Sequence, residues 1–109
     1  MDFNEPEDMS YPVVYDEQVL KKEKEKARRL RQSAWWKKKR SAGICHYCRN
    51  QFKPSDLTMD HVIPLSRGGT SRKENLVPCC RECNSKKNYL LPVEWQDYLN
   101  AVDVDTKEQ

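Results

Sequence analysis

The sequence predicts a small α+β protein: a long basic helix, then a unit of short strands and helices stapled by a metal. Three observations lead there. A run with no Gly or Pro spans residues 16–40 and is rich in Lys, Glu, Arg, Ala and Leu, all good helix formers. Short β-prone pieces around Leu57–Ile63 and Leu76–Pro78 are separated by a Gly68–Gly69 turn. Two Cys-x2-Cys pairs, Cys45–Cys48 and Cys80–Cys83, enclose those pieces.

Composition bounds the possibilities. With 109 residues, 37% of them hydrophobic and 34% charged, the chain has room for one small domain and an extension. No stretch approaches the roughly 18 apolar residues of a membrane-spanning helix. Asp2, Glu5, Glu7 and Asp8 give the N-terminus the wrong charge for a secretory signal, so a cytoplasmic protein is expected. In that reducing setting, an odd count of five cysteines points to metal ligands or buried thiols before disulfides.

Charge divides the chain. Residues 1–20 hold six acidic side chains and no Lys or Arg, and residues 21–40 hold eleven Lys or Arg against Glu23 and Glu25. The remainder is neutral and holds every Cys and His. The organisation expected is an acidic, poorly ordered tail at 1–15, with Tyr11 to Tyr15 docking as an extended piece. A basic helical arm follows at 16–42, then a domain at 43–102 and a frayed tail at 103–109. An arm of this charge suits a polyanion.

Each element has a local cause. Asp16 is placed to N-cap the arm helix, with Glu17 in its first turn. Leu20, Ala27, Leu30 and Ala34 form one thin apolar stripe, too narrow to hold the helix by burial alone. Glu25 stands four residues before Arg29, the favourable order for an exposed pair. Lys37, Lys38, Lys39 and Arg40 occupy the last turn, and Gly43 is available just beyond. A helix is expected from near Arg81 to about Tyr89, and another opening at Pro92 with Val93, Trp95, Tyr98 and Leu99. Val62, Ile63, Leu65, Leu76, Val77, Tyr89 and Leu90 are assigned to the core.

The cysteine pairs lie 31 residues apart. Two such knuckles complete a tetrahedral Zn2+ site, here closing a longer loop than usual. About 50 residues with this little apolar surface need a staple of that kind. Cys80 is preferred to Cys79 because it matches the x2 spacing, leaving Cys79 as a buried spare. His46, inside the first knuckle, could compete as a ligand but reads better as a surface histidine.

The enclosed loop carries Asp60-His61-Val62-Ile63-Pro64-Leu65-Ser66-Arg67-Gly68-Gly69 and Asn75-Leu76-Val77-Pro78, followed by Cys83-Asn84-Ser85-Lys86-Lys87. Asp and Asn oxygens suit Mg2+ or Mn2+, and a neighbouring His can take a proton from water. Metal, base and basic surroundings together describe phosphodiester hydrolysis.

From Cys45 to Lys87 the chain resembles the HNH endonucleases, whose ββα-metal (His-Me finger) core carries a DH–N–H or DH–N–N signature between zinc knuckles. The resemblance implies an H-N-N variant with a four-cysteine zinc site. It implies that His61 is the general base, that Asp60 and Asn84 hold a catalytic Mg2+ or Mn2+, and that Asn75 fixes the loop presenting His61. Asn84 stands where many members have a second metal-binding histidine. DNA is the implied partner, double-stranded and contacted largely through phosphates by the arm (Lys37, Lys38, Lys39, Arg40) and by Arg67, Lys86 and Lys87. One site per chain implies nicking by a monomer. The competing reading is a non-catalytic zinc-stabilised nucleic-acid-binding module, against which stands the retention of both Asp60 and His61.

Overall fold

The computed structural model describes residues 16–107, with side chains described through residue 102. The expectations for segment 1–15 lie outside the described residues. Helix α1, Glu17–Arg31, opens on Asp16, whose carboxylate accepts the Gln18 N–H at 2.8 Å. Glu17 begins it and Arg28, Arg29 and Arg31 close it, charges that complement the helix dipole. Glu25 pairs with Arg28, one residue earlier than the expected Arg29.

The expected single arm helix is two helices. Ser33 adopts an extended backbone, accepts the Trp36 N–H at 3.2 Å and donates its hydroxyl to the Leu30 carbonyl at 2.6 Å. It therefore ends one helix and caps the next, α2, Ala34–Arg40. The break turns Trp36 inward to 2% exposure and lays α2 against the strand Leu76–Cys79, while Trp35 stays half-buried. Truncating a buried aromatic of this kind costs about 3–5 kcal/mol, so Trp36 does more to fix the arm than the thin stripe does.

Strands β1, Thr58–His61, and β2, Leu76–Cys79, form an antiparallel ribbon with Asp60 opposite Val77 and His61 opposite Leu76. Between them the chain makes two 3-10 turns, Leu65–Arg67 and Lys73–Asn75. Gly68 caps the first at φ +93°, a backbone that strains other residues. Gly69 runs so close to the Ile63 carbonyl that a Cβ would stand 1.7 Å from its oxygen.

Helix α3, Arg81–Lys87, starts at Cys80 and lies along β1. Helix α4 starts at Pro92 and continues to Lys107, into the stretch expected to fray. Glu94 accepts the Leu91 N–H at 2.9 Å at its start, and Trp95 is buried with Tyr98 stacked on it. The core gathers Ala27, Trp36, Leu57, Leu76, Val77, Trp95 and the cysteines Cys45, Cys79, Cys80 and Cys83, whereas Cys48 is exposed. Ile63 and Tyr89, assigned to it from sequence, are exposed at 41% and 58%. Ile63 sits where its backbone is tied into the loop, and Tyr89 follows Asn88, whose φ of +50° turns the chain at the end of α3.

Candidate active site

Cys45, Cys48, Cys80 and Cys83 converge, with their sulfurs all within 4.8 Å of one another. Among the described residues they are the group of this kind able to hold a metal ion. Cys48 Sγ and Cys80 Sγ are 3.9 Å apart, close to the roughly 3.8 Å between thiolates on a tetrahedral Zn2+ with bonds of about 2.3 Å. Backbone N–H groups of Tyr47 and Cys48 point at Cys45 Sγ (3.4 and 3.5 Å), and that of Cys83 at Cys80 Sγ (3.4 Å). Burial pushes the Cys45 thiol up, but the N–H groups around it outweigh that and bring it to about 7. The donor set fits zinc. Cys79 is fully buried outside the group and His46 is exposed, as the sequence suggested.

The carboxylate of Asp60 is 6% exposed. Its Oδ2 accepts the Tyr47 hydroxyl at 2.6 Å and lies 3.2 Å from Lys87 Nζ. Burial and the hydrogen bond to Asp60 raise the Tyr47 hydroxyl far above its usual range, so it stays a donor. Both contacts fall on one oxygen, leaving Oδ1 of Asp60 for a further ligand. Asn84, on α3, donates its amide to the Thr58 hydroxyl at 3.1 Å. Thr58 lies two residues before Asp60, hence on the same face of β1, and the Asn84 carbonyl oxygen remains available. Two hard oxygens beside one strand face fit Mg2+ or Mn2+ better than a soft metal.

His61 ends β1 and turns to a different neighbour. Its Nε2 lies 3.0 Å from Ser71 Oγ. Burial holds its imidazole below 6.5; Asp60 and Glu23 oppose that shift, while Arg31 and Lys87 add to it. The loop after His61 is clamped by Asn75. Its Oδ1 accepts the Ile63 N–H at 2.8 Å, its Nδ2 donates to the carbonyls of Ile63 (3.0 Å) and Thr70 (2.8 Å), and its backbone carbonyl accepts the Val62 N–H at 2.9 Å. An open groove of about 510 Å³ runs beside this loop, lined in part by Ile63, Thr70, Arg72 and Asn75.

The basic residues expected at DNA divide. Lys37, Lys38 and Lys39 are exposed on α2, and Arg40 is half-buried. Lys39 and Lys73 each place Nζ 5.3 Å from the Trp35 ring centre. Lys86 is exposed and paired with Glu82 at 2.9 Å. Arg67 is engaged in a two-pronged pair with Glu94 (3.2 Å each) and donates to the Tyr89 carbonyl, so it braces the loop against α4. Lys87 is a correction: it has no exposed surface, ion-pairs with Asp60 and donates to the His61 carbonyl at 3.2 Å. A phosphate cannot reach it. Tyr47, Ser71 and Glu23 escaped the sequence reading; only the position of Tyr47 between two ligand cysteines could have pointed to it.

An antiparallel ribbon and following helix, closed by four cysteines able to hold a metal and presenting an Asp-His pair at the ribbon's end, define a ββα domain. Residues 45–97 match the family model described as HNH endonuclease. Among curated proteins, the chain is similar to the CRISPR-associated endonuclease Cas9 of Corynebacterium diphtheriae, 34% identical over 65 residues. That match takes in 59% of this chain but 6% of the length of Cas9. No helix among the described residues is long and apolar enough to cross a membrane.

Proposed function

We propose that the protein is a metal-dependent endonuclease that hydrolyses DNA phosphodiester bonds, with His61 as general base. The observation that carries this reading is the Asp60–His61 pair at the end of β1, its two side chains held by separate, fully specified sets of partners. A half-buried imidazole with its pKa held down is neutral near pH 7, the state a base requires.

In this reading His61 takes the proton of a water aligned with the scissile phosphorus. Asn75 keeps the loop beyond His61 in one conformation, limiting the imidazole's search for that water. Asp60 and Asn84 would hold Mg2+ or Mn2+, which would supply charge stabilisation at the phosphate. Tyr47 and Lys87 orient Asp60. Zn2+ on Cys45, Cys48, Cys80 and Cys83 is structural. The arm adds affinity for duplex DNA through phosphates, using Lys37, Lys38, Lys39 and Arg40, with Lys86 at the edge of α3. A single site per chain makes nicking the expected product of a monomer.

The test is conversion of supercoiled plasmid by purified protein with Mg2+ or Mn2+, with chelator, and beside His61→Ala. Metal-dependent open circles or linear DNA are expected, with the variant slower by about 10²–10⁴ and DNA binding largely intact. Binding without cutting under either metal would overturn the nuclease in favour of a zinc-stabilised binding module.

A further inference from the structure

The arm helix reaches the proposed active site by a route other than charge. Ser71, at the far side of the Gly68–Gly69 turn, is fully buried. Its hydroxyl donates to the backbone carbonyl of Glu23 on α1 at 2.6 Å, and its N–H donates to the Glu23 carboxylate at 2.5 Å. The same hydroxyl stands 3.0 Å from His61 Nε2. A serine has one hydroxyl proton. With that proton committed to Glu23, Ser71 can only accept from the imidazole, so Nε2 must carry a hydrogen. In a neutral ring this leaves the lone pair on Nδ1.

We infer that Ser71, its hydroxyl proton taken by the backbone carbonyl of residue 23, is a positioning residue which fixes His61 in its Nε2–H tautomer and so selects Nδ1 as the nitrogen that accepts a proton. The Glu23 carboxylate keeps Ser71 in place through its N–H. This deepens the nuclease reading and, as a catalytic statement, rests on it. The chain of bonds runs α1, Ser71, His61, with Glu23 taking both donors of Ser71. The arm thereby becomes part of the catalytic apparatus and not solely a handle for phosphate. Residue 23 is one of two acids in a segment with eleven Lys or Arg. A glutamate at that position has no use in DNA affinity, whereas it does have a use at Ser71.

The experiment reads the ring nitrogens directly, on the full chain. Nitrogen NMR of 15N-histidine-labelled protein at pH 7.5, without DNA, assigns the His61 signals by their absence in His61→Ala. Wild type is expected to show a protonated Nε2 and a bare Nδ1. Ser71→Ala is expected to move the shifts toward a tautomer mixture. Glu23→Ala, which keeps the backbone carbonyl but loses the carboxylate that holds the Ser71 N–H, is expected to do so in part, and Glu23→Gln, which keeps a side-chain acceptor, to restore them. In single-turnover plasmid nicking, Ser71→Ala should lose roughly 10–100-fold in rate, the scale seen when the orienting partner of a metal-ligating histidine is removed, and Glu23→Ala should lose less. The DNA concentration at half-saturation and the zinc content should stay unchanged.

A protonated Nδ1 in wild type, or shifts indifferent to Ser71→Ala, overturns the inference even if the enzyme cuts. Should wild type show the expected tautomer yet never cut DNA, the nuclease reading falls while the positioning of His61 stands. Should Ser71→Ala lose its zinc or its folding transition, the wild-type spectrum and Glu23→Gln still decide.

Discussion

Lys87 Nζ lies 3.2 Å from Asp60 Oδ2, with the lysine at 0% and the aspartate at 7% side-chain exposure. A lysine so completely withdrawn from water is uncommon, and its Nζ is met by that carboxylate, by the His61 carbonyl at 3.2 Å and by the Tyr47 ring 5.7 Å away. Removing one member strands the other as an uncompensated buried charge. Lys87→Met is therefore expected to lose about 3–5 kcal/mol of stability, measured by denaturant unfolding. A loss within the ~0.5 kcal/mol of a surface change would show that Asp60 does not depend on it.

Activity should hold to lower pH than an ordinary histidine allows. Burial lowers the His61 pKa from 6.5, so the neutral, proton-accepting form persists as pH falls through 6.5. The charged groups acting on the ring are Asp60, Arg31, Glu23 and Lys87, and a divalent cation on Asp60 would add to the lowering. The acid limb of the rate profile of single-turnover cleavage is expected below pH 6.5. A limb at or above 6.5 contradicts a base in this environment.

Chelating the zinc should unfold the domain, because a structural zinc contributes folding free energy directly. Cys80→Ser is expected to abolish zinc binding and the cooperative transition in circular dichroism. Cys79→Ser, one residue away and equally hidden, should keep its zinc and lose only about 1–3 kcal/mol for an ill-matched buried hydroxyl. Metal analysis that found the reverse would move the ligand set by one residue.

Replacing Lys37, Lys38, Lys39 and Arg40 together by Gln tests the arm without disturbing Trp36 or Glu23. If all four meet phosphates, the slope of log affinity against log salt becomes shallower by about 3–4, near 0.9 per contact. Fluorescence anisotropy on labelled duplex reads this. An unchanged slope would remove α2 from the DNA surface. Deleting residues 1–40 answers a different question, since it also takes away Trp36, a core side chain, and Glu23.

The metal knuckles were legible because their ligands are fixed by covalent spacing: Cys45–Cys48 and Cys80–Cys83 need only a turn each. The ribbon was legible from short apolar pieces and the glycine pair, and Asp60, His61, Asn75 and Asn84 stood out through the combined pattern. The break at Ser33 was not, since no Gly or Pro marks it and its cause, burial of Trp36, is tertiary. Lys87 was misplaced for a related reason. A lysine beside another lysine at a helix end reads as solvated until the fold puts a carboxylate beneath it. The Glu23–Ser71 contact spans 48 positions, and nothing local in either residue announces it.

Tyr47 sits between two cysteines of the metal-competent cluster and holds Asp60 through its hydroxyl. The proposed zinc and Mg2+ or Mn2+ sites would therefore share a mechanical part. Whatever free energy zinc contributes to fixing Tyr47 is felt as affinity at Asp60, and by thermodynamic reciprocity a cation bound at Asp60 returns the same amount to zinc. The protein would then hold its two metals cooperatively: a cell poor in zinc would leave it weakly armed as well as unfolded, and abundant magnesium would slow the escape of zinc.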